Sequence, residues 1–187
     1  MTNTITIFNE RADRFSSIVA GVAGRWDAAS PCEGWTAADV VTHVIGTQRD
    51  FLSARNLVAG EPAPAGDPAQ AWSAHLADVA RVLATDGVAD QAYDGYFGPT
   101  TVGATMADFY GWDLAVHAWD IARATGQDDP ISDEEAATLS SIADAWGGAL
   151  HAPGICADAL PVADDARPAE RLLARLGRDP HWTAPRS

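Results

Sequence analysis

His43, Asp113 and His117 are the residues of this chain best suited to chemistry. Asp113 and His117 stand four apart in DFYGWDLAVHAWDIARATG, a stretch with helical periodicity. One turn separates them, so both side chains leave the same helix face. His43 lies in PCEGWTAADVVTHVIG, two turns past a helix-capping signal. Two imidazoles and one carboxylate brought together offer three N/O ligands and leave positions for water or substrate, as in catalytic zinc sites. Nickel or iron would suit the same donors. The alternative is a metal-free network in which Asp113 hydrogen-bonds His43 or His117, because buried polar groups must be paired.

The elements that must position these residues are helical. Phe8, Ala12, Phe15, Val19 and Val22 recur at spacings of three and four and mark a first helix over roughly 4–27. After the turn Ser30–Gly34, Thr36 and Asp39 form a capping-box start for a second helix. Its buried stripe runs through Val40, Val44, Thr47, Phe51 and Val58, with His43 on the edge. The segment Gly60–Pro68 is a Pro/Gly/Ala loop, and Asp67 with Pro68 opens a third helix through Leu83. The stretch 86–103 is rich in Gly and aromatics, and either covers a site or forms a small hairpin. Thr105 and Asp108 start a fourth helix that Gly126 ends, and Ser132–Glu135 caps a fifth through Trp146. A short helix is expected over Pro168–Gly177. The architecture expected is all-α: a four-helix bundle with an additional helix and a loop-rich C-terminal tail, forming a single domain over 1–187 with its core at about 4–150 and its tail at 151–187.

Composition narrows the function classes. With 26 acidic residues against 12 basic, the formal net charge is −14, a field that repels nucleic acid and anionic lipid. All the basic residues are Arg, so Schiff-base chemistry and a P-loop lysine are excluded. Cys32 and Cys156 are far apart and form no C-x-x-C pair. No apolar run suits a signal peptide or a membrane span, so a cytoplasmic protein acting on small molecules is expected.

PCEGWTAADVVTHVIG and DLAVHAWDIARATG resemble the two signature stretches of the DinB/YfiT-like helical-bundle superfamily. They are most similar to the actinobacterial branch that contains the N-terminal domain of mycothiol-dependent maleylpyruvate isomerase. The tail, ADDARPAERLLARLGRDPHW, resembles that of small stand-alone members of the branch. The resemblance implies a DinB-like bundle that binds a divalent metal through His43, Asp113 and His117. It also implies mycothiol as a possible cosubstrate. The carboxylate here is Asp where the family more often has Glu, one methylene longer. The second domain of the isomerase is not expected in this chain, so isomerisation itself is not carried over.

Around this set, Asp39 and Asp120 each lie about one turn from a histidine and are candidates to orient it from outside the metal shell. Asp39 could equally be only a cap, and Asp120 could pair with Arg49 or Arg123. The same two arginines are candidates to hold an anionic substrate. His75 reads as a core or rim residue, His151 and His181 as surface, and Cys32 as a small buried thiol. Trp35, Trp112 and Trp119 read as core, with one available to line a pocket. The resulting expectation is a metal- and thiol-dependent transferase or isomerase-like enzyme acting on a small electrophile, as monomer or homodimer. The alternative is a non-catalytic metal-binding or stress-related bundle.

Overall fold

Helix α1 (Thr4–Ala20) points Phe8, Ala12, Phe15 and Val19 inward, and the chain then turns through Ala23 and Gly24, both at positive φ. It is shorter than the sequence pattern suggested, although Val22 still reaches the core from the turn. The computed structural model describes residues 4–57, 66–96, 98–152 and 154–185. Val58, residues 60–65 of the proline-rich loop and Phe97 lie outside the described residues.

Helix α2 (Ala37–Ser53) begins at a complete capping box. Thr36 Oγ1 accepts from the Asp39 amide, and the Asp39 carboxylate accepts from the Thr36 amide. This reciprocal cap fixes the start of the helix, and hence the height at which His43 sits along it. Helix α3 (Pro68–Leu83) starts on the Asp67 cap with proline in its first turn, as expected. Its His75 is buried, bonds Gln48 of α2 at 3.0 Å and is pushed down to about 4, chiefly by burial.

The aromatic stretch after α3 forms a hairpin. Strands β1 (Ala92–Gly95) and β2 (Gly98–Thr101) pair antiparallel, with Ala92 opposite Thr101 and Gly95 opposite Gly98. Helix α4 (Val102–Thr105) follows at once, capped by Thr101 Oγ1, so the fourth helical stretch starts earlier than Thr105. It passes through a π turn (Met106–Tyr110) into α5 (Gly111–Thr125), which ends on left-handed Gly126. The buried Arg11 of α1 donates to Ala107 O at 2.9 Å, satisfying a carbonyl of the widened turn. Gly111 permits this approach, since a Cβ there would stand 3.2 Å from Arg11 Cδ.

Helices α1, α2, α3 and α5 enclose the bundle core, to which α5 contributes Leu114, Ala118 and Ile121. Helix α6 (Asp133–Trp146), a 3₁₀ turn (Gly147–His151) and α7 (Pro168–Arg175) build a second core. That core takes Trp112, Ala115, Val116 and Trp119 from the other side of α5 and joins them to Leu139, Leu172 and Leu173. The fifth helix and the tail helix therefore form a layer with its own apolar interior. At the start of α6, Ser132 caps the Glu135 amide, while the Glu135 carboxylate turns to Arg14 at 2.8 Å and Arg11 at 3.8 Å. The fold is all-α in the DinB-like manner, with one small hairpin. No helix among the described residues is long and apolar enough to cross a membrane.

Removing the cap with Thr36→Ala is expected to cost about 1 kcal/mol. Leu139→Ala, in the outer core, is expected to cost about 2–5 kcal/mol. Both are measured by urea denaturation. A single transition in Leu139→Ala followed by circular dichroism and by tryptophan fluorescence would show that the two cores unfold together; separate transitions would refute it.

Candidate metal centre

Helix α5 carries three stripes. Two are apolar and serve the two cores; the third, Asp113, His117 and Asp120, lies between them at spacings of four and three. His43 faces this stripe from α2, its ring centroid 5.2 Å from that of His117. One ligand atom each from His43, Asp113 and His117 falls within 4.8 Å of the others. His117 Nε2 is 3.3 Å from Asp113 Oδ1. Tetrahedral ligands at zinc bond lengths stand about 3.3 Å apart, so this pair is already at the spacing such an ion needs. The donor set therefore fits a divalent ion, with a modest inward movement of His43.

The other ring nitrogen of His117 is held from behind. His117 Nδ1 donates to Asp120 Oδ2 at 2.9 Å, which aims Nε2 at the ligand position. Asp120 has no solvent exposure. Arg178 forks onto it, Nε donating to Oδ1 and Nη2 to Oδ2, both at 2.8 Å, and the Cys32 thiol donates to Oδ2 at 3.3 Å. Arg178 arrives from beyond α7 through Gly177, whose φ is +74°. A Cβ at Gly177 would come within 2.6 Å of Ala157 Cβ, so only glycine admits this path.

These charges set the protonation states. Burial disfavours charge on His117, but Asp113 and the hydrogen bonds to Asp113 and Asp120 outweigh it and hold the imidazole well above its usual pKa. Burial would likewise raise Asp113 and Asp120; His117 brings the first below the usual carboxylate range, and Arg178 with His117 the second. His43 is shifted down by burial and by His117, which leaves it neutral and available as a ligand. The metal-free centre is thus a cation, His117, between two carboxylates, with a proton where an ion would bind.

The triad forms one wall of a cavity of about 440 Å³ that also involves Trp35, Cys156 and Arg178. The Trp35 ring stands 4.8 Å from that of His43 and 6.5 Å from that of His117. Trp112 lines the cavity too, whereas Trp119 is wholly buried in the outer core. Of the two outer candidates, Asp120 is in place behind His117. The carboxylate of Asp39 is instead turned onto Thr36, at 2.8 Å from its amide and 2.7 Å from its hydroxyl, because the cap uses it. The cation that meets Asp120 is Arg178, which the sequence reading did not single out. Arg123 lies at a different cleft and donates through Nε to Trp182 O at 3.0 Å. Cys32, read as a small buried thiol, is half-buried and is part of the network. The only trace of Arg178 in the sequence is that a carboxylate on an apolar helix needs a cation, and nothing local says which one.

Folded His117 holds its proton more tightly than unfolded histidine, whose pKa is about 6.5. The stabilisation is therefore complete below about pH 6.5 and is lost as pH rises through the raised folded value. Chelator-treated protein is expected to melt at progressively lower temperature from neutral to alkaline pH, and His117→Gln to flatten that slope. An unaltered slope in the variant would assign the effect to another group.

Residues 8–122 match the mycothiol maleylpyruvate isomerase N-terminal domain family. Two uncharacterized proteins of Mycobacterium tuberculosis, from strains CDC 1551 and H37Rv, are each 30% identical over 172 residues, covering 89% of this chain and 92% of theirs. No solved structure matches significantly. With most of α1, helices α2 and α3, the π turn and most of α5 inside the matched region, this chain belongs to the mycothiol maleylpyruvate isomerase N-terminal domain family.

Proposed function

We propose that this protein is a divalent-metal-dependent enzyme that joins a small thiol, mycothiol in the first instance, to a small electrophile or uses that thiol to isomerise one. The observation that carries the reading is the meeting of His43, Asp113 and His117 within 4.8 Å on the wall of a cavity of about 440 Å³. A purely structural ion would be closed off by four protein ligands; here three converge and the cavity faces the remaining side. Zinc suits this donor set best.

Bound by these three ligands, the ion would lower the pKa of an incoming thiol and present its sulfur as thiolate. The protein's own residues do the rest. Asp120 fixes the His117 tautomer and keeps Nε2 turned to the ligand position, while Arg178 keeps Asp120 ionised. His43 supplies a neutral imidazole. Trp35 shields one side of both rings from water. In the transfer reaction the thiol would release its proton to solvent, sulfur would form a bond to carbon, and the displaced group would leave with its electron pair and take up a proton from solvent. The family's name supports mycothiol as the thiol.

Protein purified without chelator or affinity tag is expected to carry about one divalent ion per chain, and His43→Ala and His117→Ala to lose it. Asp113→Asn should weaken binding at least tenfold, whereas Asp113→Glu should retain it. Metal content equal to the parent in both histidine variants would refute the site. Titrating mycothiol into cobalt-substituted protein should bring a sulfur charge-transfer band in the near ultraviolet, stronger as pH rises toward the free thiol's pKa. With metal bound but no band, the non-catalytic metal-binding bundle replaces the enzyme reading.

A further inference from the structure

A second cavity, of about 430 Å³, lies between the hairpin and the π turn. Its wall includes Tyr93, Tyr110, Phe109, Trp146 and Arg55. Phe109 and Ile155 line both this chamber and the metal cavity, so a single layer of side chains divides them. The volume falls in the range of sites for small organic ligands.

Arg55 gives the chamber its chemistry. Its guanidinium packs into the angle between two rings, Cζ 3.9 Å from the centroid of Phe51 and 3.9 Å from that of Tyr93, the two rings being inclined at 59° to each other. Tyr93 is fixed in turn by a 2.5 Å hydrogen bond to Thr105 Oγ1. Arg55 Nη1 donates to Phe51 O at 2.8 Å, and its buried Nε has no hydrogen-bond partner. Among the described residues, no carboxylate forms an ion pair with Arg55, in a chain where acidic residues outnumber basic ones by 26 to 12. Asp94 and Asp108 line the same chamber but are solvent-exposed. A planar cation packed against two rings, with donors left over, matches a carboxylate edge-on, and the aromatic wall matches a flat apolar body.

We propose that this chamber binds a small aromatic or conjugated carboxylate, gripped by Arg55 and laid against Tyr93, Tyr110 and Phe109. Its role as the electrophile's pocket rests on the thiol-transfer reading above; the binding itself does not. Placed there, such a ligand has its unsaturated carbon framework one side chain from the metal cavity.

The probe is 2-naphthoate, with uncharged 2-naphthamide as its comparison, titrated by calorimetry into the parent, His43→Ala, Arg55→Gln and Ala104→Phe proteins. Ala104 lines the chamber, and a phenyl ring there would intrude into the space a naphthyl body needs. Saturable naphthoate binding is expected in the parent and equally in His43→Ala, with naphthamide at least tenfold weaker. Arg55→Gln should lose about tenfold or more for naphthoate, the worth of a charged hydrogen bond, and little for naphthamide. Ala104→Phe should abolish both. Absence of saturable binding, equal affinity for acid and amide, naphthoate affinity unaltered in Arg55→Gln, or loss of binding in His43→Ala would each overturn the proposal. If Arg55→Gln does not fold, the acid-to-amide ratio in the parent and the Ala104→Phe result decide. Failure of the metal or thiol reading leaves naphthoate binding intact, so the two failures are distinguishable.

Discussion

A carboxylate with no access to water constrains this structure more than any other group. Asp120 sits among apolar residues of α5, where an unpaired charge would be prohibitively costly, and every polar neighbour is arranged to answer it. Arg178 answers with two hydrogen bonds, His117 with one, and Cys32 with a fourth at longer range. Asp113 then balances the second cation, so two acids and two bases are buried together. The arrangement ties α5, the turn before α2 and the segment after α7 to one point. Its by-product is an imidazole whose rotation is already fixed, and whose Nδ1 keeps its proton on Asp120 when an ion takes the place of the proton on Nε2.

The two-core layout makes that point possible. A helix packed on one side only would leave its polar stripe in solvent. Here α5 is covered by the bundle on one side and by α6 and α7 on the other, so the Asp113–His117–Asp120 stripe lies in the seam between two apolar bodies. The seam is dry where Asp120 lies and opens into a cavity where His43 and Asp113 lie. One helix face thus passes from structural charge to accessible ligand within two turns.

Interactions short in sequence were legible; those spanning the chain were not. The Thr36–Asp39 box, the Asp67–Pro68 start and the Gly126 stop are each written within four residues, and each is where the pattern put it. So is the four-residue spacing that stacks Asp113 on His117. His43 joined that pair through the family resemblance, because nothing in α2 alone says which later helix it faces. Arg178 is 58 positions from Asp120 and 146 from Cys32, distances over which spacing carries no information. Asp39 carried two readings, because a cap and an outer ligand partner require the same residue at the same place, and the structure uses it as the cap. The stretch 86–103 was read correctly as either a cover or a hairpin, but the stacked arginine behind it depends on α2 and β1 meeting in space.

The π turn of Met106–Tyr110 has a bearing on the chain's history. Such a turn holds one residue more than an α-helix would, and it stands between the hairpin chamber and the metal seam. Each residue of an α-helix advances the chain by about 100° around its axis. Losing one residue here would close the turn into regular helix and swing α4 and the hairpin by that angle relative to α5. The two chambers would part company, and Val102 and Met106 would have to leave their places in the bundle core. Length at this point therefore bears on the geometry more than residue identity does, and a relative one residue shorter between Thr105 and Gly111 would keep counterparts of His43, Asp113 and His117 while presenting them to a differently shaped neighbour.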